Sequence, residues 1–356
     1  MKQARPILLL ALLLVCLAFP RVFADPAVTT VAIFTLLFAT ATSAWNIFSG
    51  YTGYIALGHA AYFGIGSYAM ALLCQDWHVP AGYLPFLLLP VAGLIAAAFA
   101  VPFGWISLRT RKHTFVVITI AVFFIMQLMA FNLRGLTGGS AGMSLPIPDW
   151  SGAAFNLPFY YVALALLLLA VGVSWWIRNS KYGLGLLAIR DDEDRALGLG
   201  VRTGSAKLLA YVISAFFVGM VGALHAYYIE SIFPAFAFDP LLDISFALMA
   251  FLGGLGTLAG PVLGALILEP AQQYFTIQFS QNGLYLMVYG VLFLAIILLL
   301  PEGILPTLRQ LWQRRAASGA ASAPTPPALG LAEARAAPAG AGPADGRGDR
   351  AAERTP

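Results

Sequence analysis

The charged run at positions 190–195 is the first place in this 356-residue sequence where side chains could do chemistry. An arginine at each end flanks four consecutive acids, and apolar side chains lie on both sides of the run. We expect a short helix over Leu184–Leu197, ended by Gly198 and Gly200. A surface helix with both characters is suited to docking in a groove of another protein. A solvated connector is the alternative, but it does not explain the four acids.

Two pairs of opposite charge lie four residues apart in that predicted helix. Asp191 precedes Arg195, and Arg190 precedes Asp194. Pairs at this spacing stabilise an exposed helix by about 0.2–0.5 kcal/mol each. The candidate docking residues are Arg190, Asp191, Asp192, Glu193, Gly198 and Gly200.

Two glycine-rich segments, at 50–68 and 253–261, form the second candidate group. Small residues let helices pack closely, and non-helical backbone inside a membrane is tolerated only where protein or water covers it. The glycines therefore either line a transport pathway or serve tight packing, and composition leaves the two equal. The histidine in the first segment is either part of that pathway or a polar group satisfied by a neighbouring helix. The candidate pathway residues are Gly50, Gly53, Gly58, His59, Gly64, Gly66, Gly253, Gly254 and Gly256.

Catalytic and nucleotide-binding motifs are missing from the sequence. None of the four lysines follows a glycine, so there is no Walker A motif, and the chain is not expected to hydrolyse ATP alone. There is no HExxH, paired CxxC or nucleophile elbow, and the four histidines are scattered. We expect no metal, no cofactor and no enzymatic activity.

The composition requires a solvent of lipid around most of the chain. Apolar residues make up 60% and charged residues 10%, against about 45–50% and 25% in soluble proteins. The apolar runs show no strand-like alternation, which predicts an all-α polytopic integral membrane protein. The predicted runs are Ile7–Phe19 (closed by Pro20), Ala27–Phe48, the second half of Gly50–Leu73, Gly82–Leu108, Thr114–Leu133, Phe159–Ile177, Leu208–Tyr228, Leu241–Leu268 and Gly283–Leu300.

Basic residues predict the orientation. Eighteen of the 20 Lys and Arg lie before the first run, in the loops at 109–112 and 178–207, or after the last run. If these regions are cytoplasmic, an even number of segments must separate them. The run Leu241–Leu268 must then be two short helices or a re-entrant hairpin, broken near Gly253–Pro261, which gives about ten transmembrane or re-entrant helices and cytoplasmic termini. The N-terminus also resembles a signal peptide, and we favour a retained helix.

Ionisable groups inside the predicted spans are few. Asp243 and Glu269 are expected near span ends, where water is close. An ion-coupled carrier would have acids in mid-span, so the energy for transport is expected to come from another chain. Residues 1–308 form the predicted transmembrane domain, with a cytoplasmic coupling loop at 178–207. Residues 309–356 form a predicted disordered tail rich in Ala, Pro and Gly, which we expect to be dispensable.

Four motifs, in this order, resemble the branched-chain amino-acid ABC transporter permeases, and most closely the larger of the two permease subunits. They are the Leu57-Gly58-His59-Ala60 core, the loop from Ala188 to Gly200, the second glycine-rich segment from Leu252 to Ala265, and Leu300-Pro301-Glu302-Gly303. The loop has Leu197-Gly198 where the family often has Glu-Ala, and Glu302 stands where Arg is usual.

The resemblance implies a binding-protein-dependent importer in the bacterial inner membrane. Its implied partners are a paralogous permease subunit in a heterodimer, two ABC ATPase subunits, a periplasmic solute-binding protein and membrane lipid, with no nucleic acid. The loop helix would be the coupling helix. The solute would be Leu, Ile, Val or a related amino acid, amide or urea. An ion-coupled secondary transporter acting without an ATPase is the alternative, and a membrane enzyme is the least favoured.

Overall fold

The computed structural model describes residues 4–23, 25–150, 153–279 and 303–308, together with five positions between 287 and 298. The long helices are α1 (Ala4–Val22), α2 (Pro26–Trp45), α3 (His59–Asp76), α5 (Leu89–Ser107), α6 (Lys112–Asn132), α8 (Ala153–Asn179), α11 (Thr203–Ile229), α13 (Pro240–Gly253) and α14 (Gly260–Phe279). The shorter elements are α4 (Leu84–Leu87), α7 (Arg134–Thr137), β1 (Met143–Ser144), α9 (Lys181–Asp191), α10 (Glu193–Gly198), β2 (Ser231–Ile232) and α12 (Pro234–Ala237).

The described chain is an all-α, multi-pass membrane protein, as the composition predicts. Six of its helical stretches are long and apolar enough to cross a membrane. A two-residue antiparallel pair, β1 with β2, is the one sheet among the described residues. The six stretches are Pro26–Gly50, Leu84–Ser107, Lys112–Asn132, Ala154–Asn179, Thr203–Ile229 and Pro234–Gly253.

The helix boundaries match most of the predicted apolar runs, with one correction at Pro20. Helix α1 continues through Pro20 to Val22. Proline removes the hydrogen bond to the carbonyl four residues earlier, and the hydroxyl of Tyr160 donates to that carbonyl, of Cys16, at 2.8 Å instead. The total of about ten segments and the cytoplasmic termini remain predictions. The run Gly283–Leu300 lies largely outside the described residues, and the tail at 309–356 lies entirely outside them.

Helix α11 packs tightly against α3 and α5 because small residues bring the backbones together. A Cβ atom placed on Gly66 would lie 2.0 Å from the carbonyl oxygen of Gly219, and one on Gly222 would lie 2.0 Å from that of Phe63. No larger side chain fits either position. Glycine therefore sets the helix spacing here, as it does in many membrane bundles.

Candidate coupling loop and glycine breaks

Two helices, not one, form the loop between α8 and α11. Helix α9 ends at Asp191 and α10 starts at Glu193, because Asp192 adopts extended backbone angles (φ −157°, ψ 111°) and its side chain accepts a hydrogen bond from the Arg195 amide. The prediction of one helix over Leu184–Leu197 is therefore wrong. The break also removes the two predicted four-residue charge pairs, and Arg195 pairs with Asp192 at 3.0 Å.

Gly198 and Gly200 end the second helix, as predicted. Helix α10 stops at Gly198, and Gly200 has a φ of +86°, which favours glycine. The Gly200 amide donates to the carbonyl of Leu197. Both glycines are exposed.

The outer side of this loop exposes both leucine and aspartate side chains. Leu184, Leu197 and Leu199 are 64%, 59% and 83% exposed. Asp191 and Asp194 are exposed beside them. This is the mixed surface that the sequence predicts for docking.

A charged cleft of about 520 Å³ lies between α10 and the turn from α5 to α6. Arg109 and Arg111 line one side, and Asp191 and Asp194 line the other. Arg111 and Asp194 approach to 3.7 Å, but both side chains are more than three-quarters exposed, so this pair adds little stability. The cleft therefore offers charges of both signs to solvent.

Glu193 faces inward, unlike its acidic neighbours. Its carboxylate accepts a hydrogen bond from Lys207 at 2.5 Å and another from the hydroxyl of Tyr54. Lys207 is buried, and its ammonium also donates to Tyr54 at 3.2 Å and lies 4.4 Å from the centre of that ring. Burial by itself raises the pKa of Glu193, but the hydrogen bonds and the charge of Lys207 outweigh it, so the pKa lies below its ordinary value. One cluster thus joins α10, α11 and the segment after Gly50.

Arg190 also faces inward and joins the loop to the glycine-rich segments. Its guanidinium donates to the carbonyl of Gly50 at 2.9 Å. A Cβ on Gly256 would lie 2.1 Å from the same guanidinium, and one on Gly53 would lie 3.0 Å from Cγ of Arg190. The ammonium of Lys112 donates to the Arg190 carbonyl. Arg190 therefore fills the space that these glycines leave.

The two glycine-rich segments meet each other near Arg190. The amide group of Asn46 accepts from the Gly256 amide at 2.8 Å and donates to the Thr257 carbonyl at 3.0 Å. Arg178 donates to the Gly256 carbonyl. Gly53, Gly254 and Gly256 all have positive φ.

The predicted pathway glycines lie at close packing contacts. A Cβ on Gly58 would be 2.5 Å from the Thr119 carbonyl oxygen, one on Gly64 would be 2.5 Å from the Phe238 ring, and one on Gly253 would be 1.7 Å from the Gly260 carbonyl oxygen. These contacts support the alternative of tight helix packing. A role of these glycines in a transport pathway remains a prediction.

His59 and the two acids are buried inside the bundle, and for His59 this agrees with the alternative of a polar group satisfied by a neighbouring helix. His59 is fully buried, and its Nε2 is hydrogen-bonded to Ser214 at 2.8 Å. Asp243 and Glu269 are 3% and 1% exposed, so the prediction that they lie near water is wrong. Asp243 is buried because its carboxyl group accepts hydrogen bonds from backbone amides at the start of α3.

Four residues in these contacts were missed by sequence reasoning: Tyr54, Asn46, Arg178 and Lys207. Two signals were available: Lys207 opens a long apolar run, and a polar Asn46 interrupts another. Neither signal identifies a partner. No cluster of three or more His, Cys, Asp or Glu that could hold a metal ion occurs in the residues that the structure describes.

These features define a multi-pass membrane protein whose helices are interrupted by glycine and joined to a charged surface loop. A family model described as "Branched-chain amino acid transport system / permease component" matches residues 27–297. The chain belongs to this family of ABC transporter permeases, which are transport components and not enzymes.

Individual relatives agree with the family. LivM of Escherichia coli K12, a high-affinity branched-chain amino acid transport system permease protein, is 27% identical over 329 residues, which cover 85% of this chain and 75% of LivM. LivH of Salmonella typhimurium LT2, of the same description, is 25% identical over 72% of this chain and 87% of LivH. A probable LivH of Methanocaldococcus jannaschii is 24% identical over 67% and 79%. LivM is the larger type of subunit. No solved structure matches the chain.

Proposed function

We propose that this chain is the larger permease subunit of a binding-protein-dependent ABC importer for branched-chain amino acids or a related small solute. It pairs with a paralogous permease subunit in the inner membrane. Two ATPase subunits drive it, and a periplasmic binding protein selects the solute. The family and the kinship to both LivM and LivH support this proposal.

The observation that carries the proposal is the two-sided character of α9 and α10. Leu197 and Leu199 face outward, where an ATPase subunit would bind them. Arg190 and Glu193 face inward, to Gly50 and to Tyr54. A force applied to the outer side therefore reaches the first glycine-rich segment through two charge-assisted contacts, which are the stronger class of hydrogen bond.

This division refines the predicted coupling residues. Asp191, Gly198 and Gly200 belong to the docking side. Arg190 and Glu193 belong to the transmission side, and Asp192 separates the two helices. The glycine-rich segments would rearrange around the solute as the loop moves.

The proposal is tested by uptake into proteoliposomes. The full-length chain, its partner permease, both ATPases and the binding protein are reconstituted, and leucine, isoleucine and valine uptake is measured with and without ATP on the ATPase side. We expect uptake that needs ATP and every subunit.

The competing function is ion-coupled transport, and the burial of Asp243 and Glu269 is the observation that favours it. Vesicles that contain only this chain distinguish the two. Accumulation of solute under a proton or sodium gradient, without an ATPase, would refute the importer proposal. An unchanged, passive distribution of solute supports it.

The docking side is tested separately. The double variant Leu197→Ser/Leu199→Ser removes two exposed leucines, each worth about 1.5–3 kcal/mol when buried at an interface. We expect co-purification of the ATPase subunits to fall at least tenfold. Lys181→Ala, exposed on the same loop, is the matched control and should bind normally.

A further inference from the structure

Helix α3 starts inside the bundle, away from the loop surface. Gly58, the residue before the helix, packs against Thr119 of α6, and the Leu57 amide donates to the Thr119 hydroxyl at 3.3 Å. Thr119 lies seven residues into α6, which is roughly 10 Å along that helix from Lys112. The first turn of α3 therefore needs hydrogen-bond acceptors at a depth where lipid and protein supply no water.

The chain has no local side chain that could supply them. The N-cap residue of α3 is Gly58, which has no side chain to accept a bond. A larger N-cap is excluded, because its Cβ would lie 2.5 Å from the Thr119 carbonyl oxygen. The first backbone amides of a helix are left without partners unless another element provides one.

Asp243 provides it from 184 positions further along the chain. Its Oδ1 accepts from the amides of His59 at 2.8 Å and Ala60 at 3.1 Å. Asp243 is 3% exposed, and its second oxygen, Oδ2, has no hydrogen-bond partner. No cation pairs with it in the part of the chain that the structure describes, and the positive end of α3 is the group that faces its Oδ1.

The position of Asp243 gives this contact a mechanical consequence. It lies on α13, the helix that leads into the second glycine-rich segment, while α3 begins within the first. His59 ties the same end of α3 to Ser214 of α11. Polar contacts thus tie the start of α3 to two other helices.

We propose that Asp243 is a positioning residue of the transporter: a remote N-cap that makes α3 and α13 move together when the coupling loop shifts. This rests on the proposed importer function. Loss of the cap frees the start of α3 from α13, so loop motion no longer moves the two helices as a unit.

The cap itself is tested without transport. Amide hydrogen exchange is measured by mass spectrometry on the full-length chain in lipid nanodiscs, with Asp243→Leu and Asp243→Ala. Leu keeps much of the volume of the side chain and removes both acceptor oxygens, so it stays informative if the cavity left by Ala prevents folding. We expect exchange over 58–62 to rise at least tenfold in a variant that folds, with little change in α5 and α8.

Asp239→Ala is the matched control. Asp239 caps its own helix, α13, by accepting from the Leu241 amide at 2.9 Å. We expect its replacement to change exchange at 240–243 and to leave 58–62 as in the wild type. Wild-type exchange over 58–62 in both Asp243 variants, or the same change in the Asp239 variant, would overturn the proposed cap.

The positioning role is tested in the reconstituted transporter by measuring solute uptake and ATP hydrolysis together. We expect Asp243→Leu to lower the number of solute molecules taken up per ATP at least fivefold, with hydrolysis nearly unchanged. A parallel fall of uptake and hydrolysis would mean a merely structural residue and overturn the positioning role. A wild-type transporter that shows no ATP-dependent uptake of a branched-chain amino acid or of a related amino acid, amide or urea would refute the proposed function instead, and it would leave the exchange result intact.

Discussion

The chain interrupts its helices with glycine at two places, and the two breaks are built in different ways. The second break, between Gly253 and Gly260, supplies its own cap: the Thr257 hydroxyl donates to the Gly254 carbonyl at 2.7 Å and accepts from the Gly260 amide at 3.0 Å. One threonine therefore closes the turn and caps α14. Asn46 and Arg178 bind the middle of this break at Gly256. The first break, between Gly50 and His59, has a local turn in which the Thr52 hydroxyl donates to the Phe48 carbonyl and accepts from the Tyr54 amide, but no local residue caps α3.

The first break depends on partners from elsewhere in the chain. The Ala56 carbonyl accepts from the indole of Trp45, and its amide donates to Ser49. Thr119 of α6 accepts from Leu57, and Asp243 of α13 caps α3. We expect a helix start that is capped from another helix to move with that helix, whereas a helix start with a local cap keeps its shape. The first break is therefore expected to be the responsive part of the fold, and the second a rigid corner.

The largest expected effect comes from filling the rigid corner. In Gly253→Ala the new Cβ would lie 1.7 Å from the Gly260 carbonyl oxygen, so the two helices cannot keep their present spacing. Overpacking of this kind typically costs about 1–3 kcal/mol, and here the obstacle is backbone that cannot rotate away. We expect the amount of monodisperse protein in size-exclusion chromatography to fall severalfold.

Gly172→Ala is the control for that variant. Gly172 also lies inside a long helix, α8, but a Cβ placed on it would meet nothing within 4 Å. Alanine there should leave the yield unchanged or raise it, because glycine is the poorer helix former. Equal losses in the two variants would contradict the packing argument.

The next effect comes from cutting the link between the loop and the first break. Arg190→Met keeps much of the length of the side chain but removes the donor to the Gly50 carbonyl. A hydrogen bond from a charged group contributes about 1.5–3 kcal/mol. We expect uptake to fall at least tenfold while the ATPase subunits still bind and hydrolyse ATP. Arg195→Met, whose side chain is 85% exposed, should transport normally, and a similar defect there would remove the distinction between the inner and outer sides.

A smaller effect is expected from the local cap of the second break. Thr257→Val removes the hydroxyl that both donates to Gly254 and accepts from Gly260. Loss of a cap costs about 1 kcal/mol, which corresponds to a decrease in Tm of roughly 2–4 °C for a domain of moderate size. Solute taken up per ATP should not change, in contrast to the Asp243 variants.

Thr276→Val is the matched control in the same helix. The hydroxyl of Thr276 donates to the carbonyl of Gln272, four residues earlier, and caps nothing. Its replacement should shift the Tm by less than the Thr257 variant does. A change of the coupling ratio in Thr257→Val would show that the second break is not a rigid corner.

Sequence reasoning reached the breaks but not the difference between them. The glycines at 253–256 predict a turn, because glycine tolerates positive φ and close backbone contacts. The predicted run Leu241–Leu268 is also longer than the roughly 20 residues of one membrane span, which favours a break within it. The partners of the first break could not be predicted, since Asp243 is 184 positions from His59 and no local spacing relates them.

The same limit explains the error in the coupling loop. The pattern of Leu184–Leu197 fits one helix, and only the N-cap geometry of Asp192 divides it into two. Aspartate is a strong N-cap residue, so the sequence could have predicted that a new helix starts after Asp192. The inward orientation of Glu193 could not be predicted from the sequence, because it depends on Tyr54 and Lys207 from two other segments.

The smallest predicted effect concerns the pH dependence of the link between α10 and the first break. The pKa of Glu193 in the folded chain lies below its ordinary value of about 4.3, because Lys207 and Tyr54 donate to the ionised form. A lowered native pKa means that the unfolded chain binds the proton more readily. The stability from this contact is therefore fully present above about pH 4.3 and is lost as the pH falls through the native pKa.

Thermal unfolding of Glu193→Gln between pH 7 and pH 3 checks this sign. The difference in Tm between wild type and variant should shrink as the pH falls, because the wild type then becomes protonated and loses the same charge. Asp194→Gln, at the neighbouring exposed position, should run parallel to the wild type over the whole range. A constant gap for Glu193→Gln would mean that its charge does not hold α10 to the first break, and the link would then rest on Arg190 alone.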